Sequence, residues 1–147
     1  MRTIWIKRAA YASLAVVVCI QFVRPARTNP PTDSTRTLFA RMHVPPQTAA
    51  VLERACRDCH SNDTRWPWYS NVAPVSWFVI DHVNHGRRHF NYSDWAQYKP
   101  ADAAKLIKDS CTVVRKGSMP LPEYVRLHSE TRLTPHDIEA LCSWVDK

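Results

Sequence analysis

Between Ala9 and Val23 the chain is uncharged and mostly apolar, with Lys7-Arg8 before the run and Arg24 after it. This pattern predicts a helix directed to a membrane. Its 15 residues rise only about 22 Å at 1.5 Å per residue, short of the roughly 30 Å hydrocarbon core. Ile4, Trp5 and Ile6 lengthen it if Lys7 and Arg8 snorkel to the interface. A cleavable signal wants small residues after the apolar stretch, whereas this one ends in Gln21-Phe22-Val23-Arg24-Pro25. Cys19 follows Val16-Val17-Val18, a poor context for a lipoprotein cysteine. An uncleaved anchor over residues 1–27 is therefore favoured over a cleaved signal.

Residues 28–46 are polar and proline-rich, and read as a tether. From residue 47 to 147 the pattern becomes helical. Val51, Leu52, Ala55 and Cys59 make one stripe, and Val75, Phe78, Val79, His82, Val83 and Gly86 make a second, on a helix reaching about His89. Asn91 to Pro100 reads as an aromatic-bearing loop, with Tyr92, Trp95 and Tyr98. Ile107, Cys111 and Val114 predict a third helix over 101–116, which Gly117 terminates. The last helix has Thr134 as cap, Pro135 at its first position and Asp137 reaching back. Leu133 and Ile138 form its staple, and Ile138, Leu141, Cys142 and Val145 its buried stripe. No useful strand alternation appears. The expected fold is all-α: a small helical domain behind an N-terminal membrane helix.

The net charge of +7 changes little in this picture. Arg2, Lys7, Arg8, Arg24 and Arg27 hold five of the 20 cations, leaving 15 against all 13 acidic residues. The basicity belongs to the membrane-directed segment, so no nucleic-acid partner is expected.

The candidate chemistry lies in Cys56-Arg57-Asp58-Cys59-His60. C-x-x-C-H is the attachment signature of a c-type haem. On a helix, positions i, i+3 and i+4 share a face, so Cys56 and Cys59 can each take one vinyl group while His60 turns toward the iron. A zinc site would want a second paired motif, and a redox dithiol a βαβ setting; neither is visible. Asp58 reads as a solvated helix-end residue. Trp66-Pro67-Trp68-Tyr69 follows the motif and is expected to wall the porphyrin pocket.

For the second axial position, Met1 is the initiator and Met42 falls in the tether, which leaves Met119. It sits in Gly117-Ser118-Met119-Pro120-Leu121-Pro122, where a residue before proline is biased to extended geometry. His82, His85 and His89 share a helix face, and His82 is the rival ligand. His128 and His136 read as surface or capping positions and His43 as part of the tether. Cys111 and Cys142 read either as two buried thiols or, in an oxidising compartment, as a disulfide around Met119.

With these segments located, the chain resembles a family of short exported haem-binding domains of bacterial c-type cytochromes. The likeness runs from Gln21-Phe22-Val23-Arg24-Pro25 to Trp144. It rests on the stretch from Cys59 through Trp66-Pro67-Trp68-Tyr69, on Ala73-Pro74-Val75-Ser76-Trp77, on Gly86-Arg87, on Asn91-Tyr92-Ser93-Asp94-Trp95 and on Met119-Pro120-Leu121-Pro122. The resemblance implies one covalent haem c per chain on Cys56 and Cys59, with His60 as iron ligand. Cys111 and Cys142 lie outside its pattern.

The expected function is electron transfer by a mono-haem c-type cytochrome with redox partner proteins, not catalysis. Its expected location is the cytoplasmic membrane, single-pass, with the haem domain facing the periplasm or outside. The alternative is a haem-based peroxidase or gas or redox sensor with a displaceable distal ligand, for which His82 or Arg87 would supply polar groups.

Overall fold

The computed structural model describes residues 2–145, with the Val145 side chain outside the described set. Those residues are helical, with eight α-helices joined by short 3-10 turns and no β-strand among them. The all-α class is what the sequence predicts.

Helix α1 (Arg2–Ile20) buries none of its residues. Its most apolar window has mean hydropathy 1.5, so it is long and apolar enough to cross a membrane, as a signal sequence also is. No free linker follows it. Gln21, Phe22 and Val23 continue its turns by donating to the carbonyls of Val18, Cys19 and Ile20, each at 3.1 Å. The Gln21 side chain then grips Ala73, its Nε2 donating to the carbonyl and its Oε1 accepting from the N–H, both at 3.0 Å.

Residues 28–46 are not a tether. They form a strap on the helical domain, and Leu38 in the short α2 (Leu38–Arg41) is completely buried. The Thr28 carbonyl and the Asn29 side chain accept from the Arg87 guanidinium at 2.7 and 3.1 Å. The His43 carbonyl accepts from Trp144 Nε1 at 3.0 Å. Polar composition hid this, because the strap is held by polar contacts and by the scattered Leu38, Met42 and Val44 rather than by a regular apolar stripe.

Helix α3 (Pro46–Ala55) begins on a proline and buries Thr48, Val51, Leu52 and Ala55. Cys56 departs from helical geometry (φ −120°, ψ −27°), so the motif continues as a separate single turn, α4 (Arg57–His60). Helix α5 (Val75–His89) buries Ser76, Ile80, Val83 and Gly86, a face rotated from the predicted one. Val75 and Phe78 point outward. Ser76 and Ile80 take the inward places expected of Val75 and Phe78, while Val83 and Gly86 face inward as predicted. Tyr92 and Trp95, expected in a loop, are instead core residues on a 3-10 turn.

Helix α6 (Pro100–Arg115) buries Ile107, Cys111 and Val114 as predicted. A short α7 (Pro122–Leu127) precedes α8 (Pro135–Val145). The α8 cap is also as predicted. Asp137 accepts from the Thr134 N–H at 2.8 Å, and Thr134 Oγ1 accepts from the Asp137 N–H at 3.2 Å. Leu141 and Cys142 are buried, and Ile138 packs against the core; the Val145 side chain, last in the predicted stripe, lies outside the described residues. Cys111 and Cys142 form a disulfide, with Cα atoms 5.1 Å apart, that joins α6 to α8. The core gathers Leu38, Leu52, Tyr92, Trp95, Ile107, Val114 and Leu141.

Candidate functional site

Cys56, Cys59 and His60 line a cavity of about 510 Å³. The local break at Cys56 turns α4 against α5, and Gly86 makes the contact possible. A β-carbon on residue 86 would lie 2.4 Å from the Cys59 carbonyl oxygen, well inside van der Waals contact. The two helices therefore meet backbone to backbone, and Cys59 is fixed in position from behind.

His60 is held by its other nitrogen. Its Nδ1 lies 2.9 Å from the Phe90 carbonyl, an atom that can only accept. Nδ1 therefore carries the proton, and Nε2 keeps its lone pair on a ring that lines the cavity. Burial holds the His60 pKa below its ordinary value, which also favours the neutral imidazole. Burial raises both thiols, Cys56 to about 12 and Cys59 to about 11, with the Cys59 charge adding to the first and the Asp58 carboxylate to the second.

Met119 lines the same cavity. Gly117 adopts a positive φ of 68° to end α6, the left-handed conformation that suits glycine. The N–H groups of Ser118 and Met119 then both donate to the Val113 carbonyl, at 3.0 and 3.3 Å, and the Met119-Pro120 peptide is cis. Met42 packs on the core but does not line the cavity. His82, His85 and His89 contribute from α5, so the rival ligand faces the same space as Met119. Leu52, Ala55, Leu106, Val113 and Leu121 supply apolar wall.

Several expectations need correction. None of Trp66, Pro67, Trp68 and Tyr69 lines this cavity. Their loop lies on the other side of α4, where Trp66 and Pro67 border a polar cleft with Asp58 and Arg65. Trp68 is 77 % exposed, while Trp66 Nε1 donates to Asn29 at 3.1 Å and Tyr69 Oη lies 2.6 Å from His128 Nε2. The block packs the strap and α7, and the wall comes from α3, α6 and the Met119 loop. Arg87 is no distal group either. Its guanidinium is committed to Ser61, Thr28, Asn29 and Thr64 at 2.7–3.1 Å.

Asp58 is not merely solvated. It accepts from Tyr124 Oη at 2.6 Å and from the Arg65 N–H at 3.0 Å, and Tyr124 also borders the cavity. His128 stacks on Tyr124 with ring centroids 4.4 Å apart. Nothing in the local sequence pairs 58 with 124, so this polar support was invisible there. Among the described residues no group of three His, Cys, Asp or Glu is arranged to hold a bare metal ion.

The model of a haem-binding domain family matches residues 15–147. The chain belongs to the haem-binding domain family. The family match begins inside α1 and includes the strap, in keeping with a domain that extends well before residue 47. No curated protein and no solved structure matches the chain. Haem, the family's cofactor, suits what the residues offer here. The cavity is apolar-walled and in the size range of cofactor sites, about 300–1,000 Å³, and His60 lines it with its Nδ1 committed to Phe90.

Proposed function

We propose that this protein is a membrane-tethered mono-haem c-type cytochrome that transfers electrons outside the cytoplasmic membrane. The observation that carries the reading is the convergence of Cys56, Cys59, His60 and Met119 on one apolar cavity. Two thiols three residues apart on one wall suit thioether bonds to a single porphyrin. The Nε2 of His60, oriented through Phe90, would be the proximal iron ligand, and the Met119 thioether the distal one.

Haem held this way supplies a one-electron Fe(III)/Fe(II) couple. A donor protein would give one electron to that couple and an acceptor protein would take it. The chain's own part is to keep both ligands still. Phe90 fixes the imidazole, Val113 and Gly117 fix the methionine segment, and the apolar wall would keep water from a haem bound there. The apolar α1 and the Cys111–Cys142 disulfide support an exported, anchored protein, since disulfides persist in oxidising compartments.

Protein made in a host that attaches c-type haem should retain one haem under denaturing mass spectrometry. Retention of covalent haem by a Cys56→Ser/Cys59→Ser variant would refute the attachment. The oxidised and reduced spectra should be low-spin and indifferent to carbon monoxide. Carbon monoxide binding to the unmodified protein would instead favour the peroxidase or sensor reading. Met119→Ala should open the sixth position and lower the potential; if only His82→Ala does so, His82 is the ligand.

A further inference from the structure

The exported domain leaves a group of large apolar side chains facing outward. Phe22 is 82 % exposed, Trp68 77 % and Phe78 70 %, and Val72 and Val75 lie beside them in the chain, also exposed. Val75 and Phe78 are three apart on α5, hence neighbours on one face. A soluble protein rarely gathers such residues without a partner.

The same region is where α1 enters the domain. Gln21 is bonded by both side-chain atoms to Ala73, between Val72 and Val75 in the chain. Trp77 Nε1 donates to the Val23 carbonyl at 2.7 Å, and Arg27 reaches Ser70 Oγ at 3.3 Å. The end of the apolar helix is thus fastened to the start of α5 and to the turn bearing Trp68. If α1 crosses a bilayer, its last turn lies at the bilayer surface, and the apolar group must lie there with it.

We propose that Phe22, Trp68, Val72, Val75 and Phe78 form a docking face that seats the domain in the headgroup region of the membrane spanned by α1. The inference rests on the anchored reading of α1. The occupant is lipid, because the face is continuous with the apolar α1, whose turns run on through Gln21, Phe22 and Val23. Exposed Trp and Phe suit the membrane–water boundary. Arg24 and Arg27 lie in the same stretch and suit phosphate headgroups. His82 follows Phe78 by one turn, about 6 Å along α5, so docking would set the haem cavity at a fixed, low height above the lipid.

Spin labelling of the full, haem-loaded chain in liposomes tests this. Phe78→Cys in a Cys19→Ser background is labelled and compared with Glu139→Cys at an exposed position of α8, and Trp68→Cys serves as a second reporter. The ratio of collisions with oxygen to collisions with an aqueous nickel chelate should be severalfold higher at 78 and 68 than at 139. Liposome flotation of the same samples reports the anchor. Flotation with equal ratios at all sites overturns the docking face alone. Low access to both reagents at 78 and 68 means that a second protein copy covers the face, which also overturns it. Failure to float removes the anchor and the proposal together.

Discussion

Gly86 shows how a side chain that is missing can position chemistry. With the Cys59 carbonyl 2.4 Å from where a β-carbon would stand, Gly86→Ala forces α4 away from α5. Overpacking of this kind costs about 1–3 kcal/mol. The expected outcome is a lower urea midpoint together with reduced haem incorporation, measured by pyridine haemochrome on the same preparation. Its neighbour Arg87 acts by the opposite means, tying Ser61 and Thr64 after the motif to Thr28 and Asn29 in the strap. Cys56, Cys59 and His60 are local in the chain, so their meeting on one cavity was within reach of spacing alone. Arg87 and Tyr124 were not, since their partners are 23–66 residues away and no periodic pattern reports such distances.

Among the elements, α8 was the most legible, for the same reason of locality. Hydrogen bonds from the Thr134 backbone and hydroxyl, with Arg54 beside them, hold the Asp137 carboxyl below its ordinary value of 3.8. A carboxyl lowered in the folded state stabilises above its unfolded pKa, and that contribution is lost as pH falls through the lowered folded value. Asp137→Asn should therefore cost about 1 kcal/mol at neutral pH, and the difference from the native chain should shrink below about pH 4. Urea unfolding of both proteins at pH 7 and pH 3 checks it. Helix α5 was misjudged as an element. Val83 and Gly86 face inward as predicted, but Ser76 and Ile80 complete the buried face and Phe78 turns outward. The α6–α8 pairing was only half legible, since both cysteines lay on predicted buried stripes while geometry alone could join them. Replacing Cys111 and Cys142 together by Ser removes a cross-link spanning 31 residues, expected to cost about 2–4 kcal/mol. Reversible denaturation of the double variant measures that loss.

At the scale of the whole molecule, the strap decides where the domain begins. If residues 28–46 were a tether, Leu38→Ala would be nearly silent. With Leu38 fully buried in the core cluster that also holds Trp95 and Leu141, the same change should cost about 2–5 kcal/mol, read from denaturant unfolding of the full chain in detergent. The strap also bears on how the protein is made. Thr48 Oγ1 donates to the Ala140 carbonyl, and the His43 carbonyl accepts from Trp144, contacts that join residues 92 and 101 positions apart. A chain delivered N-terminus first presents His43 and Thr48 early and their α8 partners last. The core therefore cannot close until α8 has arrived, although Cys56 and Cys59 have long since emerged. That interval, between delivery of the motif and arrival of the closing helix, is when its two thiols lie open to the machinery that would attach haem.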